Sequence, residues 1–397
     1  ASPILDYAQR VQDGQYADGH LDGRKLSPSP LFEREQLVPY LHRCSHNYLN
    51  FGISNPRRFL QHREIIDSVS GTEGTSVHIE AEEDEPGRYW VDVAVANTRP
   101  RVALENVCRL LYLHNFDVAR SRLDVVTDGE NGNITVLRML VSPAEGSEVS
   151  QATFAAVRRE IKRAKWLDSV TMDLVFDRYL WLGVTRGEII TAMCSLIHPV
   201  LAKENALMFS KSNIHDVACN ERFIRHSADI ASAFMDRFNP QKPLSDEELE
   251  SRCEKLRGEI DSSVEDTVAT AILHKMIDVI KCTLKTNVYL PNRYALSLRL
   301  DPKVMVSPHE QERELPYGII FVHGRRFNGY HVRFRDISRG GMRLVTPRSP
   351  EQYALESARQ YDECYGLAFA QQLKNKDIPE GGSKAVNLID TSGLSEV

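Results

Sequence analysis

The sequence predicts an α/β protein of several domains, with an α+β N-terminal part and a mixed-sheet domain that begins late in the chain. Three observations predict it. Residues 88–170 pass from strand alternation to helical spacing and back, residues 171–290 are helical in pattern, and strand patterns return after residue 291. At 397 residues the chain is long enough for two or three buried cores. Its 42% hydrophobic and 26% charged residues place it among ordinary globular proteins. A net charge of −6 argues against sequence-wide nucleic-acid binding. No run approaches the roughly 18 apolar residues of a membrane span, and no signal-peptide core opens the chain. The expectation is an intracellular protein, cytoplasmic or of the mitochondrial matrix. Cys44, Cys108, Cys194, Cys219, Cys253, Cys282 and Cys364 are scattered and form no CxxC pair, which predicts reduced thiols and no metal site.

Residues 1–87 are expected as one segment, irregular at first and then helical through LVPYLHRCSHNYLNFG and NPRRFLQHREII. The break GTEGTSVHIEAEEDEPGR closes it. Its cluster Glu80, Glu82, Glu83, Asp84 and Glu85 matches no calcium-loop spacing and is expected as an exposed charged linker. From residue 88, RYWVDVAVA alternates as a strand and ALENVCRLLYLHNF repeats at helical spacing. DVARSRLDVV and ITVLRMLVS then read as strands around the turn TDGENGN, and SEVSQATFAAVRREIKRAKWL as an amphipathic helix. This βαββα order is that of a small open-faced sandwich with helices on one face. In order of elements, residues 88–170 resemble an ACT-type, amino-acid-sensing module, which implies a regulatory or assembly role.

In the helical segment 171–290, Thr185 and Glu188 fit a capping box, and Pro199 is expected to kink or end that helix. Phe223, Ile224, Ile230, Phe234 and Phe238 form an apolar side stopped by Asn239-Pro240. SDEELESRCEKLRGEID reads as charged nearly all round. Val268, Ile272, Met276, Ile277 and Ile280 make a strong apolar stripe, with His274 beside it as an interface histidine. Residues 291–397 begin with strands in YALSLRLDP and in LPYGIIFVHGRRFNGYHVRFRDI, the latter two joined by a Gly/Arg turn.

The chemistry concentrates in residues 331–390. Arg339-Gly340-Gly341-Met342-Arg343 reads as a turn, in which glycines admit a ligand to the backbone and arginines fit carboxylates or phosphates. A helix follows, with Ser349 as N-cap, Pro350 at its first position and Gln352 reaching back. Ala354, Ala358, Tyr361, Tyr365 and Ala368 are its expected core side, and Gln371 and Lys374 share a face near its end. Asp377 to Val386 then reads as a glycine-rich turn that sets Lys384 against bare backbone. It lacks the spacing of a phosphate loop. A lysine crowded by cations and partly desolvated becomes a usable general base or water activator.

RFRDISRGGMRLV followed by QQLKNKDIPEGGSKAVNLID resembles the substrate-binding core of the large-subunit, NAD-specific glutamate dehydrogenases of fungi and protists. The likeness is dense over 318–390 and fainter back to about 220, through ERFIRHSADIASAFMDRFNP and IKCTLKTNVYLPNRYALSLRLDP. It implies that Lys384 is the catalytic lysine that activates water. It implies that Lys374, with Gln371, holds substrate carboxylate or amino groups, and that Arg339, Gly340 and Gly341 line the site for the other carboxylate. Two departures stand out. The small hexameric relatives have lysine where Arg339 stands, and their two lysines lie further apart than Lys374 and Lys384, so Lys376 or Gln372 is an alternative carboxylate partner. No GxGxxG follows a strand. The resemblance therefore implies a fragment of a homo-oligomeric enzyme, inactive by itself, with NAD bound by a domain outside this chain. Two other functions fit parts of the chain: a non-catalytic amino-acid-sensing or oligomerisation module, and a dehydrogenase for another amino acid.

Overall fold

The computed structural model describes residues 2–14, 26–307, 310, 313–374 and 380–391. The chain divides into two units, Ala1–Lys165 and Trp166–Val397. In the first, helices α1 (Ser2–Gln12), α2 (Arg34–Arg43), α3 (His46–Ser54) and α4 (Pro56–Asp67) precede strands β1 (Thr75–Ala81) and β2 (Tyr89–Ala96). Helix α5 (Pro100–Leu113), strands β3 (Phe116–Thr127) and β4 (Asn133–Pro143), and helix α6 (Gln151–Ala164) complete it. The strands pair antiparallel in the order β1-β2-β4-β3.

The βαββα order is present, but two expectations about it fail. The acidic break is no simple linker, because Thr75–Ala81 pairs along the whole of β2. Its carboxylates are used locally: Glu80 pairs with Arg58, Glu83 with Arg57, and Glu82 accepts from the Trp90 indole. Nor is the sandwich open. Val91, Val93 and Val95 alternate with Asp92, Ala94 and Ala96, and all six are buried. Ala94, Ala96, Ile134 and Val136 join a core with Ile4, Leu37, Phe59, Leu60 and Ile66 of the N-terminal helices. Tyr89, on the other face, meets Phe154 of α6 at 4.8 Å between ring centroids. Both faces of the sheet are thus covered by helices, and each fully buried aliphatic or aromatic side chain contributes about 1.5–3 kcal/mol.

The second unit opens with α7 (Ser169–Met172), α8 (Val184–Glu204), α9 (Lys211–Ala218), α10 (Ile224–Arg237), α11 (Asp246–Ser263) and α12 (Thr267–Cys282). Strands β5 (Thr283–Thr286), β6 (Ala295–Leu300), β7 (Gly318–Gly324), β8 (Phe327–Arg333) and β9 (Ser338–Val345) follow, then α13 (Pro350–Leu373) and β10 (Gly381–Ile389). Among the described residues they form a six-stranded sheet in the order β5-β6-β7-β8-β10-β9. Every pair is antiparallel except β10 with β9, which α13 connects as a crossover.

Local signals hold best where the environment is ordinary. Ser349 accepts from Gln352 N at 3.2 Å, and the Gln352 side chain accepts from Arg348 N at 2.8 Å, one residue before the cap. In α12, Ile272, Met276, Ile277 and Ile280 are buried, and His274 pairs with Asp261 at 2.9 Å. Helix α11 is not polar all round, since Leu249, Cys253, Leu256 and Ile260 make a narrow buried stripe at helical spacing.

Helix α8 departs most from its local reading. Gly183 is its N-cap, and Pro199 lies inside a helix that runs on to Glu204. Glu188 makes no capping box. It is buried and receives both terminal nitrogens of Arg293, at 3.0 and 2.5 Å. The seven cysteines are all free thiols. Among the described residues no helix is long and apolar enough to cross a membrane, and no cluster of His, Cys, Asp and Glu could hold a metal ion.

Candidate active site

The two glycine-rich segments are strands, not turns. Ser338–Val345 is β9, at the sheet edge, and Gly381–Ile389 is β10, held between β8 and β9. Lys376 and Asp377-Ile378-Pro379 lie outside the described residues. Parallel pairing sets Gly382 beside Arg339, Ser383 beside Gly340 and Lys384 beside Gly341. Glycine disfavours strands, yet here each backbone is paired, and the missing side chains let neighbours come close. A β-carbon at Gly340 would collide with the Ser383 carbonyl. One at Gly382 would collide with Ala368 O and Gln372 N of α13. These glycines serve protein packing rather than ligand approach. Gly341 differs: a β-carbon there would sit 3.7 Å from Lys384 Nζ, an ordinary contact, so the lysine head group lies beside its bare backbone.

Helix α13 fixes the strand that carries Lys384. Cys364 Sγ lies 3.2 Å from both Tyr330 O and Lys384 O, and Gln360 Nε2 donates to Asn328 O at 2.6 Å and Val386 O at 3.0 Å. Tyr361, Tyr365 and Ala368 are buried as expected. Ala354 and Ala358 are only half-buried, and Ser357, Gln360 and Cys364 complete the packed side. Arg313 and Glu314 pin the helix from outside. Arg313 pairs with Asp362 at 2.7 Å and stacks 3.5 Å from the Tyr365 ring centroid, and Tyr365 Oη donates to Glu314 O.

The charges sort into two kinds. Arg339 pairs with Glu380 at 3.4 Å and Arg343 with Glu363 at 2.6 Å. Lys384, half-buried on β10, and Lys374, exposed at the end of α13, have no carboxylate within ion-pair distance among the described residues. Gln372 is engaged: its Oε1 accepts from Gly382 N at 3.5 Å, and its Nε2 donates to Glu314 at 3.1 Å. Gln371 and Lys374 meet through a backbone bond, Lys374 N to Gln371 O, at 3.3 Å. The structure therefore joins Lys384, Gly341 and Arg339 through adjacent strands, and brings the end of α13 against Gly382. It records no side-chain contact that draws Lys374 or Gln371 to Lys384.

The turn between β9 and α13 does not fit a dinucleotide. The β9–α13–β10 crossover has the parallel geometry that such sites use. Its first turn, Thr346-Pro347-Arg348-Ser349, contains no glycine for the close approach of a pyrophosphate.

Sequence reasoning missed a buried polar chain in the same unit, whose bonded partners are up to 155 residues apart and share no local motif. Tyr353 Oη accepts from Asn328 Nδ2 at 3.4 Å, Asn328 Oδ1 meets His323 Nδ1 at 2.7 Å, and His323 Nε2 meets Asp168 Oδ2 at 2.9 Å. Asp168 also caps α7, accepting from Thr171 N at 3.0 Å and Thr171 Oγ1 at 2.5 Å. Burial opposes charge on both Asp168 and His323. Their mutual attraction and hydrogen bonds outweigh it, holding the Asp168 carboxyl well below the usual range and raising the His323 imidazole.

The linkage has a definite sign. The His323 contribution is complete below its unfolded pKa of about 6.5 and is lost as pH rises through the raised folded value. The Asp168 contribution is complete above its unfolded pKa of about 3.9 and is lost as pH falls through the lowered one. The pair thus supports the fold most between about pH 4 and 6.5. Thermal unfolding from pH 5.5 to 8.5 is expected to show Tm falling toward alkaline pH more steeply in the parent than in Asp168→Asn. Parallel profiles would show the pair uncharged.

A family model described as "Bacterial NAD-glutamate dehydrogenase, catalytic domain" matches residues 255–392, which include β9, α13, β10 and Lys384. Over this stretch the chain is similar to the NAD-specific glutamate dehydrogenases. The NAD-specific glutamate dehydrogenase of Saccharomyces cerevisiae is 52% identical over 116 residues, 29% of this chain and 10% of the relative. That of Neurospora crassa is 42% identical over 147 residues, 37% of this chain and 13% of the relative. Glutamate dehydrogenase 2 of Dictyostelium discoideum is 40% identical over 137 residues, 34% of this chain and 13% of the relative. The chain thus spans 10–13% of the length of these curated relatives.

Proposed function

We propose that the second unit carries the substrate site of an NAD-specific glutamate dehydrogenase. The whole protein would oxidise L-glutamate to 2-oxoglutarate and ammonia, with NAD, bound outside the described residues, taking the hydride. The observation that carries this reading is the pairing of Lys384 with Gly341, which places an amine without a carboxylate partner over bare backbone in the family-matched region. In this role Lys384 orients the attacking water and stabilises charge developing on the substrate oxygen. Lys374, with Gln371, holds one carboxylate. Arg339 holds the other through the nitrogens that Glu380 leaves open, while Gly340 keeps its strand against β10. Two clamped carboxylates set the reacting carbon in place and discriminate against monocarboxylate amino acids, which is what separates this reading from a dehydrogenase for another substrate.

Calorimetric titration of the chain with L-glutamate and 2-oxoglutarate, beside Lys374→Ala/Lys384→Ala, tests the site. Binding that disappears in the double variant supports it. Binding that persists would transfer the ligand to the ACT-like reading of residues 88–170, as a sensing or homo-oligomer-forming module. That second reading has one supporting observation, the antiparallel βαββα unit with a buried core of its own. No binding of either ligand would count against a substrate site held by these residues alone.

A further inference from the structure

A separate cleft of about 620 Å³ opens between the end of α8, α12 and the segment after β6, and none of its lining residues comes from β8, β9 or β10. Its size is that of small-molecule sites. Leu201, Ala271 and Val306 give it an apolar floor. Two of its charged lining residues are already compensated. Asp278 pairs with Arg257 at 2.5 Å, and Arg313 with Asp362 and Glu310 at 2.7 and 3.2 Å.

Lys275 and Lys303 also line the cleft, and neither has a carboxylate within ion-pair distance among the described residues. They outnumber Glu204, the lining carboxylate without a described ion pair, so the cleft favours negative charge. A second observation points the same way. Ser307 lines the cleft at 1% exposure, and its Oγ has no hydrogen-bond partner among the described residues. A buried hydroxyl without a partner is costly, and a ligand oxygen there would accept the missing bond.

We propose that this cleft binds a small organic oxyanion, a carboxylate or phosphate group on an apolar body. Lys275 and Lys303 offset its charge, Ser307 donates to one of its oxygens, and the apolar body lies on Leu201, Ala271 and Val306. The proposal does not rest on the dehydrogenase reading, because it uses none of the residues around Lys384.

Calorimetry on the full chain with phenyl phosphate, benzoate and inorganic phosphate tests it. Phenyl phosphate or benzoate is expected to bind at least about tenfold more tightly than inorganic phosphate, through the apolar floor. The tighter of the two identifies the acidic group. Lys275→Gln/Lys303→Gln should weaken that binding by about tenfold or more, and Ser307→Ala by about threefold. Ser307→Ala should not lower Tm, since it removes an unsatisfied hydroxyl. Any L-glutamate binding should be unchanged in both variants. Affinity in the double lysine variant within about twofold of the parent, or no saturable binding of either aromatic anion up to about 10 mM, would overturn the proposal.

Discussion

Lys384→Ala in the full-length enzyme is expected to lower turnover by about 10²–10⁴-fold while leaving the protein folded, the size of effect a positioned acid–base group supplies. The fold should tolerate the change, because β10 is held through its backbone by β8 and β9 and by Cys364 and Gln360 of α13, none of which uses the lysine side chain. Lys384→Arg should not rescue it, since a planar guanidinium does not place its charge and donors where a compact ammonium does. Steady-state kinetics beside a circular dichroism melt decides the matter. Loss of kcat with an unchanged melt is the expected result, and near-normal turnover in the alanine variant would remove Lys384 from the chemistry.

Breaking the Glu188–Arg293 pair is expected to have the largest effect on stability. Both side chains are at most 5% exposed and joined by two hydrogen bonds, so Arg293→Met takes the guanidinium away from a buried carboxylate in the second unit. Removing one partner of such a pair costs about 3–5 kcal/mol, whereas replacing both by apolar groups is close to neutral. For a unit of this size the single change should lower Tm by about 6–20 °C. Glu188→Leu/Arg293→Met should recover most of it. A single variant melting within about 2 °C of the parent would show that the pair carries little of the stability.

The periodic elements were legible in the sequence because their signals are local. Alternation in RYWVDVAVA and ITVLRMLVS, the stripe of α12 and the Ser349 cap each depend on residues within a turn or two, and each appears where expected. So did Lys384 and Arg339 as residues of interest, through the two glycine-rich motifs that carry them. Tertiary structure alone decided what those glycines do. A Gly-Gly pair reads as a turn until a neighbouring strand and a helix supply its partners, here β10 for Gly340 and α13 for Gly382. The same limit hid β1 inside an acidic run, turned Glu188 from a cap into a buried ion, and joined Asp168 to His323. Sequence by itself determined the elements whose signals are local. Only long-range pairing, in which backbone and charge are satisfied by distant partners, decided which cations are already paired and which are left for a ligand.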